Sequence, residues 1–510
     1  MENILLYFSL SLLSILVVRF LLRSPSGRKL PPSPAFRLPI IGHLHLLGRP
    51  AQHAFKKLAD KYGPVFSLRF GSRLVVIITS PEAVKECFTK NDVVLAARPL
   101  LNSGKYMAYD NTIFAAASYG EHWRNLRRIG SIEIYSPTRL NKFLDSRGDE
   151  VKRLLRRLGE SNNSPPPASA GFSTVKLEPL FAELTFNVVM RMVAGKSYFG
   201  ENVSNEEEAK QFRYIMKEIF MISEASSPGD FIPIWNWIDP TGYEKKLKNI
   251  AKKVDIFLVN LIEEIRNRKG EGNTMVDHLL SMQVSEPQFF SDQIIKGLIW
   301  VIMLAGTDTQ SGTLTWTMSH LLNNPEVLKK ARAEIDTVVG RERLVEENDL
   351  SKMTYLQQVI AETLRLNPLP LLLPHCASED CTIQGYHIPR DTMLLFNVWA
   401  IHRDPKLWDD ALIFKPERHA TLTIEDQYKY LPFGLGRRAC PGGGMANRLV
   451  GLALATMIQC FEWKRVSDEL VDMTVGNGIT ASRAFPLEAM CKPWPDMERV
   501  LVEEVGLVRK

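Results

Sequence analysis

The 510-residue chain reads as a mainly α-helical domain with a small β region, held behind a single N-terminal membrane anchor. Three observations predict this. Apolar residues recur at helical spacing over most of the chain, alternating β-branched and aromatic residues are confined to short stretches, and residues 4–22 are almost continuously apolar. With 45% hydrophobic and 24% charged residues the composition is that of a globular protein with a large core, not of a disordered or fibrous chain. The 63 basic and 57 acidic residues leave a net charge of +6, too small at this length to argue for nucleic-acid binding. The six cysteines are scattered and form no CxxC pair, which excludes a disulfide framework and a local zinc site and fits a reducing compartment.

Residues Ile4 to Leu22 are interrupted only by Ser9, Ser11, Ser14 and Arg19, and roughly 20 residues at about 1.5 Å each cross a bilayer core. Glu2 stands in front and Arg19, Arg23, Arg28 and Lys29 stand behind. That charge order favours an uncleaved anchor with a cytosolic flank over a cleaved secretory signal. Residues 1–23 are therefore expected to be the anchor, 24–47 a basic, proline-rich hinge, and 48–510 the domain that carries the chemistry. The hinge includes Leu30-Pro-Pro-Ser-Pro-Ala-Phe-Arg-Leu-Pro39, whose prolines favour a semi-rigid strut over a continued helix. With this topology the sequons at Asn162 and Asn202 face the cytosol and stay unmodified.

Beyond the hinge, Val65 to Phe70 and Leu74 to Ile78 flank a turn at Gly71-Ser72-Arg73 and predict a β-hairpin. Polar, proline-rich breaks at 161–171 and 226–229 mark loops, but composition does not shift across them and no repeat is present. One large domain is expected. The stretch Phe231-Ile-Pro-Ile-Trp-Asn-Trp-Ile238 reads equally as core packing or as a surface that meets the membrane.

The most informative segment is Phe433-Gly-Leu-Gly-Arg-Arg-Ala-Cys-Pro-Gly-Gly-Gly444, followed by the apolar run Met445 to Phe461. A glycine-rich loop delivers one cysteine to the start of a helix, with Pro441 suited to the first helical position. The amides of Gly442 to Gly444 and the helix terminus would favour a thiolate on Cys440. An isolated cysteine in such a helix is ordinarily a small buried hydrophobe, but here the whole spacing of the loop speaks for a metal ligand. A single thiolate without a neighbouring Cys or His implies a metal whose other ligands come from elsewhere, and haem is the leading case. Gly434 and Gly436 would let backbone lie close to a flat macrocycle, and Arg438 would pair with a propionate.

These residues fit the pattern FxxGxRxCxG at every fixed position. The chain thus resembles the haem-thiolate monooxygenases of the cytochrome P450 superfamily, from anchor and hinge to the last helix. It looks most like microsomal plant members, those of the family numbered eighty-one. The resemblance implies the cytochrome P450 fold, a triangular helical prism with a small β region, and heme b as cofactor with Cys440 as axial ligand.

Ser291-Asp292 predicts the cap of a long helix ending before Pro325, with Ala305-Gly-Thr-Asp-Thr309 at its centre. The Thr309 hydroxyl is placed to bond the Ala305 carbonyl four residues back. By itself such a threonine is ordinarily structural. Together with Cys440 the pentapeptide resembles the family's acid–alcohol pair, which implies that Asp308 connects to the proton supply and Thr309 hydrogen-bonds the activated oxygen. The family pattern continues with Ser or Thr, whereas this chain has Gln310.

Glu362-Thr-Leu-Arg365 resembles the family's ExxR element, and Phe414-Lys-Pro-Glu-Arg418 its PERF segment with His419 in place of Phe. Glu362, Arg365 and Arg418 are expected to form a buried network beneath the cysteine loop. Trp123-Arg-Asn-Leu-Arg127 matches WxxxR, so Trp123, Arg127 and His375 join Phe433, Gly434, Arg438 and Gly442 as expected haem contacts. A basic face with Arg124, Arg128, Arg437, Arg448, Lys464 and Arg465 would receive an acidic partner, by resemblance NADPH-cytochrome P450 reductase.

Phe114, Val301, Ala305, Leu369, Leu371 and Phe485 are the expected lining of a substrate pocket, and their apolar character implies a hydrophobic small molecule. The resemblance implies an enzyme that uses NADPH, O2 and membrane lipid contact on the cytosolic face of the endoplasmic reticulum. It would hydroxylate a plant phenolic such as an isoflavonoid. Ring or methylenedioxy-bridge closure on a lignan or xanthone type, and terpenoid hydroxylation, are alternatives. A peroxide isomerase would need no reductase, and a haem sensor or carrier would bind ligands without NADPH turnover.

Overall fold

The computed structural model describes Tyr7, Ser11 and Ser14 and residues 28–507, apart from 49, 162–170, 201–202, 204, 224–226, 269–271 and 477–479. The rest of the expected anchor, the first part of the hinge, both sequon asparagines and most of the 161–171 loop lie outside the described residues. Among the described residues no helix is long and apolar enough to cross a membrane.

The described residues form the strands β1 (Val65–Phe70), β2 (Arg73–Ile78), β3 (Ser173–Lys176), β4 (Leu372–Cys376), β5 (Met393–Asn397), β6 (Phe461–Lys464) and β7 (Glu488–Pro493), besides a small hairpin at residues 381–388. The predicted hairpin forms as β1 and β2, paired antiparallel from Val65–Ile78 to Phe70–Arg73. Its turn needs glycine, because Gly71 has φ +55° and a side chain there would run into the Phe231 carbonyl. β5 adds parallel to β2 and β4 antiparallel to β5, giving the order β1-β2-β5-β4. The second sheet has the order β3-β7-β6. The described part of the proline strut is packed on β1: the Ser67 amide donates to Pro32 O at 2.7 Å and its hydroxyl to Pro31 O at 2.9 Å.

The helices that frame the site are α1 (Glu121–Ile129), α2 (Leu177–Ala194), α3 (Asp292–Asn323), α4 (Thr354–Leu366) and α5 (Gly443–Cys460). α2 is buried along most of its length, as expected of a helix that is apolar nearly all round, and ends at Gly195 in the left-handed region. It packs along α3, which is 32 residues long and so about 48 Å from end to end. The Ser291 hydroxyl caps α3 by accepting from the Ile294 amide. α3 buries several hydroxyls without orphaning them: Thr307, Thr313, Thr315, Thr317 and Ser319 each donate to the carbonyl four residues back.

α5 differs from expectation at its start. The helix begins at Gly443 with Gly442 as its cap, so Pro441 lies before the helix, not in its first position. The 231–238 stretch divides. Phe231 packs edge-on against Phe70 at 5.5 Å and Ile232 is buried, whereas Ile234, Trp237 and Ile238 are exposed, Trp237 to 92%.

Candidate active site

The cysteine loop folds back on itself. The Cys440 amide donates to Phe433 O at 2.8 Å, and Gly434 and Gly436 both take left-handed conformations, with φ +67° and +65°. At Gly436 a side chain would strike Asp92 and Phe88, so this glycine is set by packing. Burial pushes the Cys440 thiol up, while the amides of Gly442 and Gly443 and the Arg127 guanidinium pull it back. A side chain at Gly442 would meet Cys440 Sγ and the Tyr135 ring, at 3.9 and 3.7 Å.

Cys440 opens onto a cavity of about 290 Å³ whose walls come from α1, α3, α4, the β4 region and the cysteine loop. Its walls are mainly apolar, with Val301, Ile302, Leu369, Leu373, Phe433 and Met445 among the lining residues. Arg98, Arg127 and Arg438 line the same cavity. Arg127 donates to Ala439 O at 2.8 Å, and Arg438 donates to Ala96 O at 2.7 Å and to Ala117 O while stacking over Trp123 at 4.4 Å. Arg98 donates to the carbonyls of Pro374 and Ala115. Trp123 is fixed by its indole N–H on Phe114 O at 3.1 Å, and His375 by Nδ1 against Leu95 O at 2.8 Å. Burial lowers Arg98 to about 10 and Arg438 to about 9, the latter also through repulsion from Arg98 and Arg127. Burial likewise lowers His375 to about 3 and keeps it neutral.

The opposite wall is α3. Ala305 faces the cavity, and the Thr309 hydroxyl donates to Ala305 O at 2.7 Å, the bond expected from the sequence. Asp308 does not line the cavity. It is bonded to Thr480, and burial pushes its carboxyl up. Thr309 therefore meets the cavity directly, whereas Asp308 stands off it.

Glu362, Arg365 and Arg418 come together as expected. Arg365 bridges both Glu362 oxygens at 2.8 Å and Arg418 reaches Oε1 at 3.0 Å. His419 joins them, its Nε2 lying 2.9 Å from Oε2. Burial opposes ionisation of Glu362, but the donors from Arg365 and His419 outweigh it and hold the carboxyl at about 2. Arg365 also donates to His402 O at 2.6 Å, and His402 Nε2 accepts from the Leu431 amide at 2.8 Å, which ties the network to the strand of chain entering the cysteine loop.

Two expected pocket residues are elsewhere. Leu371 packs into a small cluster with Trp316 and Ala481, and Phe485 is 57% exposed. Apolar character alone did not say which face of their segments turns inward. Phe114, Val301, Ala305 and Leu369 do line the cavity. The expected basic face is smaller than its sequence suggested. Arg124 and Arg437 flank Tyr119 at 5.6 and 5.3 Å, but Arg437 also pairs with Asp92, Arg448 with Glu347 and Lys464 with Glu462, and Arg465 bonds Leu322 O. Arg98 and Tyr135 were missed. The only signal for Arg98 was a guanidinium set in the apolar run Val93 to Pro99.

Among the described residues no carboxylate pairs with Arg98, Arg127 or Arg438. Three partly or fully desolvated guanidiniums in one cavity call for a bound anion. A haem meets each demand: an iron for the thiol of Cys440, a flat apolar ring for the walls, and two propionates for the guanidiniums. The donor set fits that cofactor.

The sequence profile described as Cytochrome P450 matches residues 31–483. The chain is 52% identical to cytochrome P450 81Q32 of Catharanthus roseus over 93% of its own length and 94% of that protein. It is 52% identical to the isoflavone 3'-hydroxylase of Medicago truncatula, covering 96% of this chain and 98% of that one. It is 50% identical to the (+)-piperitol/(+)-sesamin synthase of Sesamum radiatum, with 98% and 99% covered. A solved zebra fish cytochrome P450 with progesterone shares the fold with a TM-score of 0.73 at 23% identity, covering 88% of this chain and 100% of that one.

Proposed function

The chain belongs to the cytochrome P450 family and is a haem-dependent monooxygenase, and on that premise we propose that it hydroxylates a hydrophobic plant phenolic such as an isoflavonoid. The observation that carries this reading is near-full-length identity to isoflavone hydroxylases, joined to an apolar cavity in which Cys440 and Thr309 both stand on the wall. The bound haem supplies oxygen activation with electrons from NADPH.

The protein's own residues take defined parts. Cys440 would supply the sulfur ligand, its sulfur held by the Gly442 and Gly443 amides. Arg98, Arg127 and Arg438 would orient the cofactor by its carboxylates, with Trp123 stacked against Arg438, and His375 would fill the rim beside them. Phe433, Gly434 and Gly442 shape the bed in which it lies. Thr309 Oγ1 would hold and give up a proton at the cavity wall, and buried Asp308, which protonates more readily than an exposed aspartate, would resupply it. Val301, Ala305, Leu369 and Phe114 exclude water and hold the aromatic substrate. Glu362, Arg365 and Arg418 act structurally, beneath the loop.

Identity to the sesamin synthase of Sesamum radiatum supports a second reading, closure of a ring or methylenedioxy bridge on a phenolic. We further propose an anchor at residues 1–23 in the endoplasmic reticulum membrane with the domain on the cytosolic face. The apolar run at 4–22 and the exposed Ile234, Trp237 and Ile238 support it. The exposed arginines Arg124 and Arg128, with Arg437 beside them, are proposed to dock an acidic NADPH-cytochrome P450 reductase.

The test is incubation of microsomes carrying the protein with reductase, NADPH and a panel of phenolics and terpenoids, followed by mass spectrometry. Gain of one oxygen on an isoflavonoid supports the first reading, and loss of two hydrogens supports the second. Turnover of terpenoids alone would contradict both.

A further inference from the structure

Gln310 follows Thr309 where the P450 sequence pattern usually continues with a small hydroxyl residue. It is 3% exposed and lines the same cavity as Thr309. Its Nε2 donates to Gly306 O at 2.5 Å, one position along from the bond between Thr309 and Ala305. The orientation of the amide follows from chemistry, since the Gly306 carbonyl only accepts and so must face the NH2 group. Gln310 Oε1 is then left buried and without a donor among the described residues. Two hydroxyls line the same cavity. Thr309 Oγ1 and Thr313 Oγ1 already spend their hydrogens on the carbonyls of Ala305 and Thr309, at 2.7 and 2.8 Å, and keep lone pairs free to accept. A buried carbonyl oxygen in a cavity whose lining also presents hydroxyl acceptors is suited to a donor with two hydrogens and small volume, which is a water molecule.

We propose that Gln310 is a positioning residue that holds a water molecule against Thr309, so that proton delivery in this chain runs through a water fixed by a side-chain amide. The water donates one hydrogen to Gln310 Oε1 and the other to Thr309 Oγ1. When Thr309 gives up its hydroxyl proton it takes one from this water, and the water is reprotonated in turn from the side of Asp308, the proton source proposed above. No electrons move in the step. The relay half of this inference rests on the reading of Thr309 given above, whereas the water site does not.

The test uses the full-length holoenzyme with its reductase. The C–O stretch of the ferrous carbon monoxide complex senses hydrogen-bond donors near the bound ligand, and peroxide released per NADPH reports proton delivery. Gln310→Met, which is near in volume but cannot hold the water, is expected to move the C–O band and raise the peroxide share by about threefold to tenfold. Gln310→Ser, which leaves room for a water and can bond it, is expected to bring both back toward wild type. Gln310→Leu serves the same purpose if the Met protein loses haem. An unchanged band with unchanged coupling in the apolar variants would overturn the proposal, and a shifted band with unchanged coupling would overturn the relay. If Thr309→Ala kept normal coupling while Gln310→Met still moved the band, the reading of Thr309 would fail and the water site would stand.

Discussion

His419 Nε2 lies 2.9 Å from Glu362 Oε2, on a carboxylate that Arg365 already grips through both oxygens and Arg418 through one. The side chains of Glu362 and Arg365 are fully buried. Removing the charge from Glu362 leaves buried cations without an anion, so Glu362→Gln is expected to cost about 3–5 kcal/mol and to deplete haem. His419→Phe removes a single donor and should cost about 1.5–3 kcal/mol. Urea unfolding of both variants checks the order. A His419→Phe protein less stable than Glu362→Gln would contradict it.

The same carboxyl sets a pH window. Its folded value of about 2 lies below the ordinary 4.5, so its ionisation stabilises the fold fully above pH 4.5, and that contribution is lost as pH falls toward 2. The stability gap between wild type and Glu362→Gln should therefore narrow between pH 4.5 and 2 and stay constant above pH 5.5. Melting curves at stepped pH measure it.

Arg98 shares its cavity with Arg127 and Arg438 but has no carboxylate partner, and burial lowers it to about 10. If a propionate is its partner, Arg98→Met loses a charge-assisted hydrogen bond worth about 1.5–3 kcal/mol, and haem should dissociate about tenfold faster or more. Transfer of haem to an excess of apomyoglobin gives the rate. A rate equal to wild type would remove Arg98 from the haem site.

What was legible in the sequence was what local spacing encodes. Cys440, Thr309 and the Glu362–Arg365 pair each sit in a short pattern whose chemistry is complete within a few residues, and the fold brought them where those patterns implied. Arg98 was not legible, because it is one guanidinium in an apolar run and reaches Pro374 only through the pairing of distant segments. Leu371 and Phe485 were misplaced for the converse reason: an apolar side chain in a loop or a short strand carries no signal of which face it will take. His419 was visible as a departure, but its bond to Glu362 depends on the 3-10 turn at Pro416–Thr421 folding over α4.

The placement of Val301 and Phe485 makes a further prediction. Val301→Phe narrows the cavity and should shift the substrate or product profile, whereas Phe485→Ala, at an exposed position, should leave it unchanged. Product analysis on the same phenolic panel decides. A changed profile in Phe485→Ala would place that residue back against the substrate.

Thr309→Ala removes the hydroxyl that bonds Ala305 O and meets the cavity. Haem content should be retained while peroxide formation rises and product per NADPH falls by about tenfold or more. Unchanged coupling would take Thr309 out of proton delivery.

Everything turns on sulfur ligation by Cys440, and the spectrum of the reduced protein under carbon monoxide reports it most directly. Wild type should give the strongly red-shifted Soret band of a thiolate-bound haem, and Cys440→Ala should abolish it. Absence of that band in wild type, or its survival in Cys440→Ala, would contradict the account.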